Sequence, residues 1–360
     1  MLALLSKCEW PLSRVSLHPA FAALLLAALA SGATAAADVV HAARSHDSGE
    51  LDIYRSGSRC VLALDGPLDA AAERALDAAL RELQRDGCQR GTMVFNTGGG
   101  TPAVAYRLAD FLDRHRFDTA VAEGGLCFSA CAYAFLGGRT RLVAEGARYG
   151  VHQHTQTDGQ CALELSGAER ERLRGVVQRA LPQPAAERLI ARVMATDCRR
   201  MDVLSREELQ ALAVNTAAQS PLEAPFREAM ARRAAQVLAE LRGSAETPWR
   251  RLTGDARLTL YTRGTPEPAG EGRLRLRVLL SHAGDDTDGA SGLRYRSQLT
   301  LNEIDCARRT LLPLRTAYMR EAMGEGAVLR QAARGPMQVI GAGTAAAVFY
   351  RAACGKPLPA

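Results

Sequence analysis

The spacing of hydrophobic positions changes along the chain, and each change predicts a different kind of structure. Between residues 60 and 151, apolar runs of three or four residues alternate with segments in which apolar residues recur every three or four positions. The short runs are typical of buried strands, and the wider spacing is typical of amphipathic helices. This alternation predicts an α/β domain with a mostly parallel sheet and right-handed crossovers. The predicted strands are 61–64, 93–95, 120–122, 141–143 and 149–151, and the predicted helices are 70–84, 104–112 and 130–136.

The next part of the chain reads as helical. Residues 164–200 predict two helices, with a break at Pro182 and Pro184. The segment 205–209, Ser-Arg-Glu-Glu-Leu, has the pattern of a capping box at a helix start. Residues 222–243 are rich in Ala, Arg and Glu, and they predict an amphipathic helix that connects two domains.

After Trp249 the pattern changes to alternation with a period of two, interrupted by Gly, Pro and Asp clusters. Such alternation predicts a small, mostly β domain. The chain is therefore divided into residues 1–37, an α/β domain at 38–218, a helical connector at 219–250 and a β-rich domain at 251–360. The strands predicted in the last domain are 258–261, 274–280, 295–301, 310–318, 327–331, 337–340 and 346–350.

The first 37 residues have the pattern of a secretory signal peptide. Lys7 and Arg14 precede an apolar run at 20–33, and small-residue cleavage options follow at 33–35 and 35–37. An uncleaved membrane anchor is the alternative, but the run falls short of the roughly 20 residues that a spanning helix needs. We expect export to the periplasm, with the cell surface left open.

Charge and composition argue against one class of partner. The chain has 360 residues and a formal net charge of +6, with acidic and basic side chains interspersed throughout. No basic run carries stacking aromatic residues, so we expect no nucleic-acid partner. A mild positive balance mainly favours solubility.

The cysteines fit an exported chain. Eight of the nine cysteines lie beyond residue 37, and an even number in an exported protein suggests disulfides. Connectivity does not follow from sequence alone. A zinc site is the alternative, although two CxxC-type knuckles are missing. Our assignment is Cys306 with Cys354, Cys60 with Cys88, Cys161 with Cys198, and Cys127 with Cys131 as a local pair.

One set of residues in the α/β domain has the elements of a serine hydrolase. Ser129 lies where a strand passes into a helix, and His152 follows 23 residues later at the end of another strand. A serine needs a base to take its proton and backbone amides to hold the oxyanion. His152 is the candidate base. Gly98, Gly99 and Ala130 are the candidate amide donors.

Other interpretations of these residues remain open. Ser129 could be a small residue at a helix–sheet contact, and His152 could be a core histidine or a metal ligand together with His154. Carboxylates are sparse nearby, with Asp158 the nearest, so we expect neither metal nor cofactor. A Ser–Lys dyad is nearly excluded, because beyond residue 37 the only lysine is Lys356, in the other domain.

A third residue would orient the histidine in a triad. Asp202, which precedes the helix start at 205, is the first candidate, and Asp197 is the second. Either could be a helix-end carboxylate without a catalytic role.

These motifs resemble the ClpP/crotonase superfamily, and specifically the periplasmic ClpP-like proteins, over roughly residues 58–216. In the Clp proteolytic subunit, a strand ends in Ser-Pro-Gly-Gly, a serine nucleophile starts a helix of small residues, and a His-Gln ends a later strand. The resemblance implies a peptide or protein substrate and homo-oligomers assembled through a helical arm. The matching residues are 96–99, Ser129, His152-Gln153, the helices of 164–200 and the segment at 205–209.

Two departures from the family pattern stand out. Thr97 replaces the usual proline, and Met201 stands at the position of the family's aspartate, one residue before Asp202. A shift of one residue restores a triad; otherwise the site is a dyad or has lost its activity.

The C-terminal domain more faintly resembles surface-adhesin protein E. The residues that carry this resemblance are 295–297, Asp305-Cys306 and the segment 350–354. It implies a small sheet closed by a disulfide, and a role in binding an envelope or surface ligand through residues 251–360. The alternative function is therefore a non-catalytic envelope binding protein on a ClpP-like scaffold.

Overall fold

A computed structural model describes residues 39–154, 166–289 and 291–356. The predicted signal peptide lies outside the described residues, as do Asp158 and Cys161, so the pairing of Cys161 with Cys198 stays a prediction. Within the described ranges, no helix has both the length and the apolar character needed to cross a membrane.

The first part of the chain alternates strands and helices as the hydrophobic pattern predicts. Four strands of the first sheet pair in parallel, and the two strands that precede them in the chain add an antiparallel edge that the hydrophobic pattern does not predict. The sheet order is β1-β2-β3-β4-β5-β7. Its strands are β1 (Val40–His46), β2 (Gly49–Ser56), β3 (Arg59–Asp65), β4 (Arg90–Asn96), β5 (Asp118–Val121) and β7 (Arg141–Val143).

Three short strands form a separate sheet at the carboxyl edge of the first. They are β6 (Leu126–Phe128), β8 (Arg148–Val151) and β9 (Asp202–Val203), in the order β6-β8-β9. β6 and β8 are parallel, and β9 is antiparallel to β8. The carboxyl ends of β6 and β8 therefore lie side by side.

Helices cover the sheet through their apolar faces. α1 (Ala70–Arg85) buries Leu76, Leu80 and Leu83, as the spacing predicts, and the Asp69 side chain caps its start. α6 begins with the predicted capping box, because the Ser205 hydroxyl accepts from the Glu208 amide. The remaining helices of this part are α2 (Pro102–Arg114), α3 (Ala130–Leu136), α4 (Gly167–Ala180), α5 (Gln183–Ala195) and α6 (Arg206–Ala211).

A buried arginine attaches the helical arm to the sheet. Arg141, at the start of β7, is only 5% exposed, and burial lowers its pKa. Its guanidinium donates to main-chain carbonyls from three segments of the chain, at distances of 2.9–3.0 Å. These bonds satisfy donors that would otherwise be costly to bury. The acceptors are Gly138, Ala180, Ala213 and Val214.

The C-terminal part is an antiparallel sheet, preceded by the long helix α7 (Ala224–Arg242). The order is β10-β11-β12-β13-β14-β15, and β16 also pairs with β14. The fold class is confirmed: a parallel-rich α/β part is followed by a mostly β part. The strands are β10 (Arg250–Gly254), β11 (Leu258–Pro268), β12 (Arg273–Thr287), β13 (Arg294–Asp305), β14 (Thr310–Met319), β15 (Val328–Ala332) and β16 (Gln338–Val339).

The prediction of a strand at 346–350 is wrong, because this segment belongs to helix α8 (Ala345–Cys354). Val, Phe and Tyr suggested a strand, but three alanines precede them, and alanine is the strongest helix former. The Thr344 side chain accepts from the Ala347 amide, which starts the helix, and Gly355 in the left-handed conformation ends it.

Three predicted disulfides are confirmed. They are Cys60–Cys88, Cys127–Cys131 and Cys306–Cys354. The Cys306–Cys354 bond joins α8 to the turn after β13. Disulfides persist mainly in oxidising compartments, so these bonds are consistent with an envelope or extracellular protein.

The C-terminal sheet contacts the α/β part through β15. The Asn96 side-chain amide donates to the Gln331 carbonyl and to the Asp65 carboxylate, both at 2.8 Å, and the Ala333 backbone also hydrogen-bonds to Asp65. A Cβ on Gly124 would lie 2.6 Å from the Leu329 carbonyl oxygen, so the backbones approach closely there. These contacts lie near the start of β6, away from its carboxyl end.

Replacing Asp65 with asparagine is expected to change the pH dependence of stability. Burial raises the pKa of Asp65 to about 6 from 3.8, despite the hydrogen bonds that it accepts. A carboxyl group whose pKa is higher in the folded than in the unfolded state binds its proton more tightly in the folded protein. Its contribution to the unfolding free energy is fully present below about pH 4 and is lost as the pH rises through 6. Because Asp65 is only half-buried, the expected effect is smaller than the full pKa shift implies. As the pH rises from 4 to 7.5, we expect the unfolding free energy of Asp65→Asn to increase by about 2 kcal/mol relative to that of wild type.

Chemical denaturation at several pH values measures this difference. Asp77→Asn, which changes an exposed carboxyl on α1, is the control. A constant difference between Asp65→Asn and wild type from pH 4 to 7.5 contradicts the prediction.

Candidate active site

Ser129 lies in a sharp turn between a strand and a helix. β6 ends at Phe128 and α3 begins at Ala130, so one residue joins the two elements. Ser129 makes this change of direction with φ 55° and ψ −122°, a region that residues other than glycine rarely occupy. Its amide donates to the Gly150 carbonyl at 3.0 Å, and its carbonyl accepts from the Ala132 amide at 2.9 Å. Main-chain bonds on both sides therefore hold the strained conformation.

His152 lies beside this turn. β6 and β8 run parallel, with Phe128 opposite Gly150, and adjacent strands are about 4.8 Å apart. Ser129 and His152 therefore follow the carboxyl ends of neighbouring strands, as the sequence predicts. Among the described residues no hydrogen bond joins their side chains. Catalytic hydrogen bonds are often long in the absence of substrate.

The chain after His152 is held by the end of the helical arm. The Gln153 amide donates to the Thr196 carbonyl at 2.9 Å, and its side-chain Nε2 donates to the Met194 carbonyl at 2.6 Å. The His-Gln pair thus places the imidazole against the segment that follows α5.

The surroundings of His152 favour a neutral imidazole. Burial lowers its pKa, whereas the backbone of Cys198 and the charge of Asp197 act in the opposite sense. Nδ1 is buried and has no hydrogen-bond partner within the described parts of the chain. A histidine that stays neutral at pH 7 is able to accept a proton.

The glycine loop after β4 lies directly against Ser129. A Cβ on Gly99 would be 2.8 Å from the Ser129 Cβ and 3.3 Å from its Oγ, and Gly99 has φ +115°. The Gly99 amide already donates to Thr97 Oγ1 at 3.1 Å. Gly98 is exposed, and no described residue accepts from its amide or from the Ala130 amide. Of the three candidate amides, those of Gly98 and Ala130 therefore have no acceptor within the described residues, and Gly99 makes the close approach to Ser129.

The two candidate carboxylates lie in different surroundings. The Asp202 carboxylate accepts from Arg192 at 2.7 and 3.0 Å, a bidentate ion pair. The Asp197 charge raises the pKa of His152, and Asp202 is not among the groups that affect this pKa. Asp197 is exposed, and its Oδ1 accepts from the Arg199 amide. Asp197, but not Asp202, therefore affects the pKa of His152, and neither carboxylate accepts a hydrogen bond from His152 Nδ1 within the described residues.

Met201, one residue before Asp202, contributes packing rather than charge. A Cβ on Gly150 would be 2.7 Å from Met201 Cγ, so the methionine side chain lies on β8. A thioether cannot act as the carboxylate of a triad.

A buried aromatic cluster that the sequence pattern does not predict lies around His154. Tyr106 Oη is 3.5 Å from His154 Nε2, and the Tyr133 ring centroid is 5.8 Å from that of His154. Burial lowers the pKa of His154 as well. No sequence signal distinguishes these tyrosines from ordinary core residues, because they are far apart in the chain.

Two further observations bear on the chemistry. Among the described residues, no group of three or more His, Cys, Asp or Glu side chains is arranged to hold a metal ion. Cavities of about 420 and 300 Å³ lie elsewhere, one at the amino ends of the strands near Arg59 and one near Arg273. Neither cavity is lined by Ser129 or His152.

Comparisons with known proteins give one family match. Residues 249–355 match the family model of surface-adhesin protein E, which confirms the predicted likeness of the C-terminal domain. No curated protein matches the chain.

Several solved structures are similar to part of the chain. An enoyl-CoA hydratase from Mycobacterium marinum has 13% identity and a TM-score of 0.37, over 52% of this chain and 83% of the other. A mutant ClpP from Listeria monocytogenes has 19% identity and a TM-score of 0.36, over 43% and 88%.

Proposed function

We propose that this chain is an exported serine hydrolase, a ClpP-like peptidase that acts in the cell envelope. The observation that carries the proposal is the backbone of Ser129, at φ 55° and ψ −122° in a strand-to-helix turn. Strained backbone of this kind costs about 1–3 kcal/mol and is concentrated at functional sites. Serine nucleophiles of other hydrolases occupy similarly strained turns, which expose the hydroxyl.

The mechanism uses the groups around this turn. Ser129 Oγ attacks the carbonyl carbon of an amide or ester as His152 takes its proton. The Gly98 and Ala130 amides hold the oxyanion of the tetrahedral intermediate, and His152 then returns the proton to the leaving group. Asp197 orients the imidazole, and the Arg192–Asp202 ion pair holds the segment beside it.

The wider setting follows from the rest of the chain. The signal-peptide pattern of residues 1–37 and the disulfides support export to the periplasm, with the surface as a second location. The resemblance to ClpP supports a homo-oligomer assembled through α4 and α5. The C-terminal domain, by its likeness to surface-adhesin protein E, is proposed to bind an envelope ligand.

A fluorophosphonate probe tests the proposal. We expect wild type to form one covalent adduct, mapped by mass spectrometry to Ser129 and absent in Ser129→Ala. The variant should fold normally, since alanine is smaller than serine, and thermal unfolding checks this. An intact wild-type protein that forms no Ser129 adduct between about pH 6 and 9 contradicts the proposal.

The second candidate is a non-catalytic envelope binding protein. Two observations favour it: within the described residues no hydrogen bond joins the Ser129 side chain to that of His152, whose Nδ1 has no partner, and the cavities near Arg59 and Arg273 are not lined by either residue. Under this alternative, the family match at 249–355 marks the functional domain. Ligand binding that Ser129→Ala leaves intact, together with the absence of an adduct, would support it.

A further inference from the structure

We infer that the Cys127–Cys131 disulfide is a positioning device for the nucleophile turn: it holds the peptide between Ser129 and Ala130 in the orientation that the oxyanion requires. This inference rests on the proposed function, because it assigns a role within the same site. Cys127 and Cys131 would then be positioning residues that do not touch the substrate.

The geometry of the disulfide links both sides of the turn. Cys127 lies on β6 and Cys131 on the first turn of α3, with Ser129 midway between them. The bond joins Cα atoms 5.1 Å apart over a separation of four residues. It therefore spans the one residue at which the chain changes from strand to helix.

The backbone angles explain why this link affects the chemistry. The ψ angle of Ser129 sets the direction of the Ala130 N–H, one of the two proposed oxyanion donors. If the turn relaxed to an ordinary negative φ, this peptide would rotate and its N–H would point elsewhere. Strained angles persist only where the surroundings enforce them, and a covalent bond across the turn enforces them most directly.

A purely stabilising role fits these residues less well. In the loop-closure view, a disulfide restricts the unfolded chain more when it closes a longer loop. Cys127–Cys131 closes a loop of four residues, whereas Cys60–Cys88 closes one of 28. Both Cys127 and Cys131 are completely buried, so an exposed redox-exchange role is equally poorly supported.

Two double variants separate positioning from stability. Cys127→Ala/Cys131→Ala removes the link across the turn, and Cys60→Ala/Cys88→Ala removes one in the same domain at the amino edge of the sheet. The second-order rate constant of fluorophosphonate labelling at Ser129 is measured at a temperature where denaturation curves show both variants folded. Cys127→Val/Cys131→Ala, which better preserves buried volume, replaces the first variant if that one does not fold.

We expect the first variant to label about 10- to 100-fold more slowly than wild type. This factor is the free-energy cost of the strained backbone conformation expressed as a ratio of rates. The control should label within about threefold of wild type, although it loses more resistance to denaturant. Labelling of the first variant at the wild-type rate overturns the inference, as does an equal loss in both variants.

A crystal structure of the first variant gives a readout that does not need activity. The inference expects Ser129 to move to a negative φ, with the Ala130 amide rotated. If wild type itself forms no adduct, the proposed function fails, and the φ of Ser129 in this variant alone decides the inference. An unchanged positive φ overturns it.

Discussion

Replacing His152 with alanine is expected to lower the rate of fluorophosphonate labelling at Ser129 by about 10⁴-fold or more at pH 7, because the loss of the histidine base of a serine enzyme has effects of this size. The pH profile should change as well. Burial lowers the pKa of His152 from its ordinary value of 6.5, so the wild-type rate should fall on the acid side with a midpoint below pH 6.5. This acid limb should disappear in His152→Ala.

The matched control is His154→Gln, which removes a neighbouring imidazole on the same segment. His154 is buried against Tyr106 and Tyr133, so we expect its loss to change the labelling rate by only a few fold. If the labelling rate falls strongly in His154→Gln and only slightly in His152→Ala, the base is His154 and not His152. An acid-side midpoint of the wild-type rate above pH 6.5 would contradict the lowered pKa of His152.

Replacing Gly99 with alanine is expected to have the second largest effect. The new Cβ would be 2.8 Å from the Ser129 Cβ and 2.9 Å from the Phe128 carbonyl oxygen, distances that force the backbone to move. The φ of +115° is also strained for alanine. We expect labelling to fall at least about 10²-fold, as with the loss of an oxyanion donor, and the unfolding free energy to fall by about 1–3 kcal/mol.

Gly98→Ala is the matched control for this change. A Cβ on Gly98 meets no atom within 4 Å, and alanine retains the amide proposed to hold the oxyanion. Its labelling rate should stay within about threefold of wild type, and its stability should be unchanged or slightly higher. Equal losses in the two variants would show that the close approach of Gly99 to Ser129 has no functional role.

Much of the fold could be predicted from the chain alone, because local patterns determined it. The predicted helix at 130–136 and the predicted strand at 141–143 agree with the observed bounds, since apolar spacing and turn residues there point to one answer. The edge strands β1 and β2 were missed, because their polar and apolar positions alternate weakly. The segment 346–350 was misassigned because its β-forming side chains follow a capped alanine run.

The candidate site could be predicted only in part. Ser129, His152 and the glycine loop follow strand ends, and the carboxyl ends of parallel strands meet at one edge, so their proximity follows from the order of the motifs. The roles of the aspartates do not follow in this way. Arg192, on helix α5, binds the Asp202 carboxylate at the start of strand β9, and no local pattern predicts that contact.

The sequence by itself determined the alternation of strands and helices, the cysteines available for pairing and the order in which a hydroxyl, an imidazole and a glycine loop follow their strands. These properties depend on side-chain spacing and local backbone preference. Only the tertiary structure decided that Gly99 contacts Ser129 while its amide donates to Thr97, and that the Asp202 carboxylate is paired with Arg192. These contacts join residues from separate elements, and burial, strain and hydrogen bonding determine them only after the sheets have assembled.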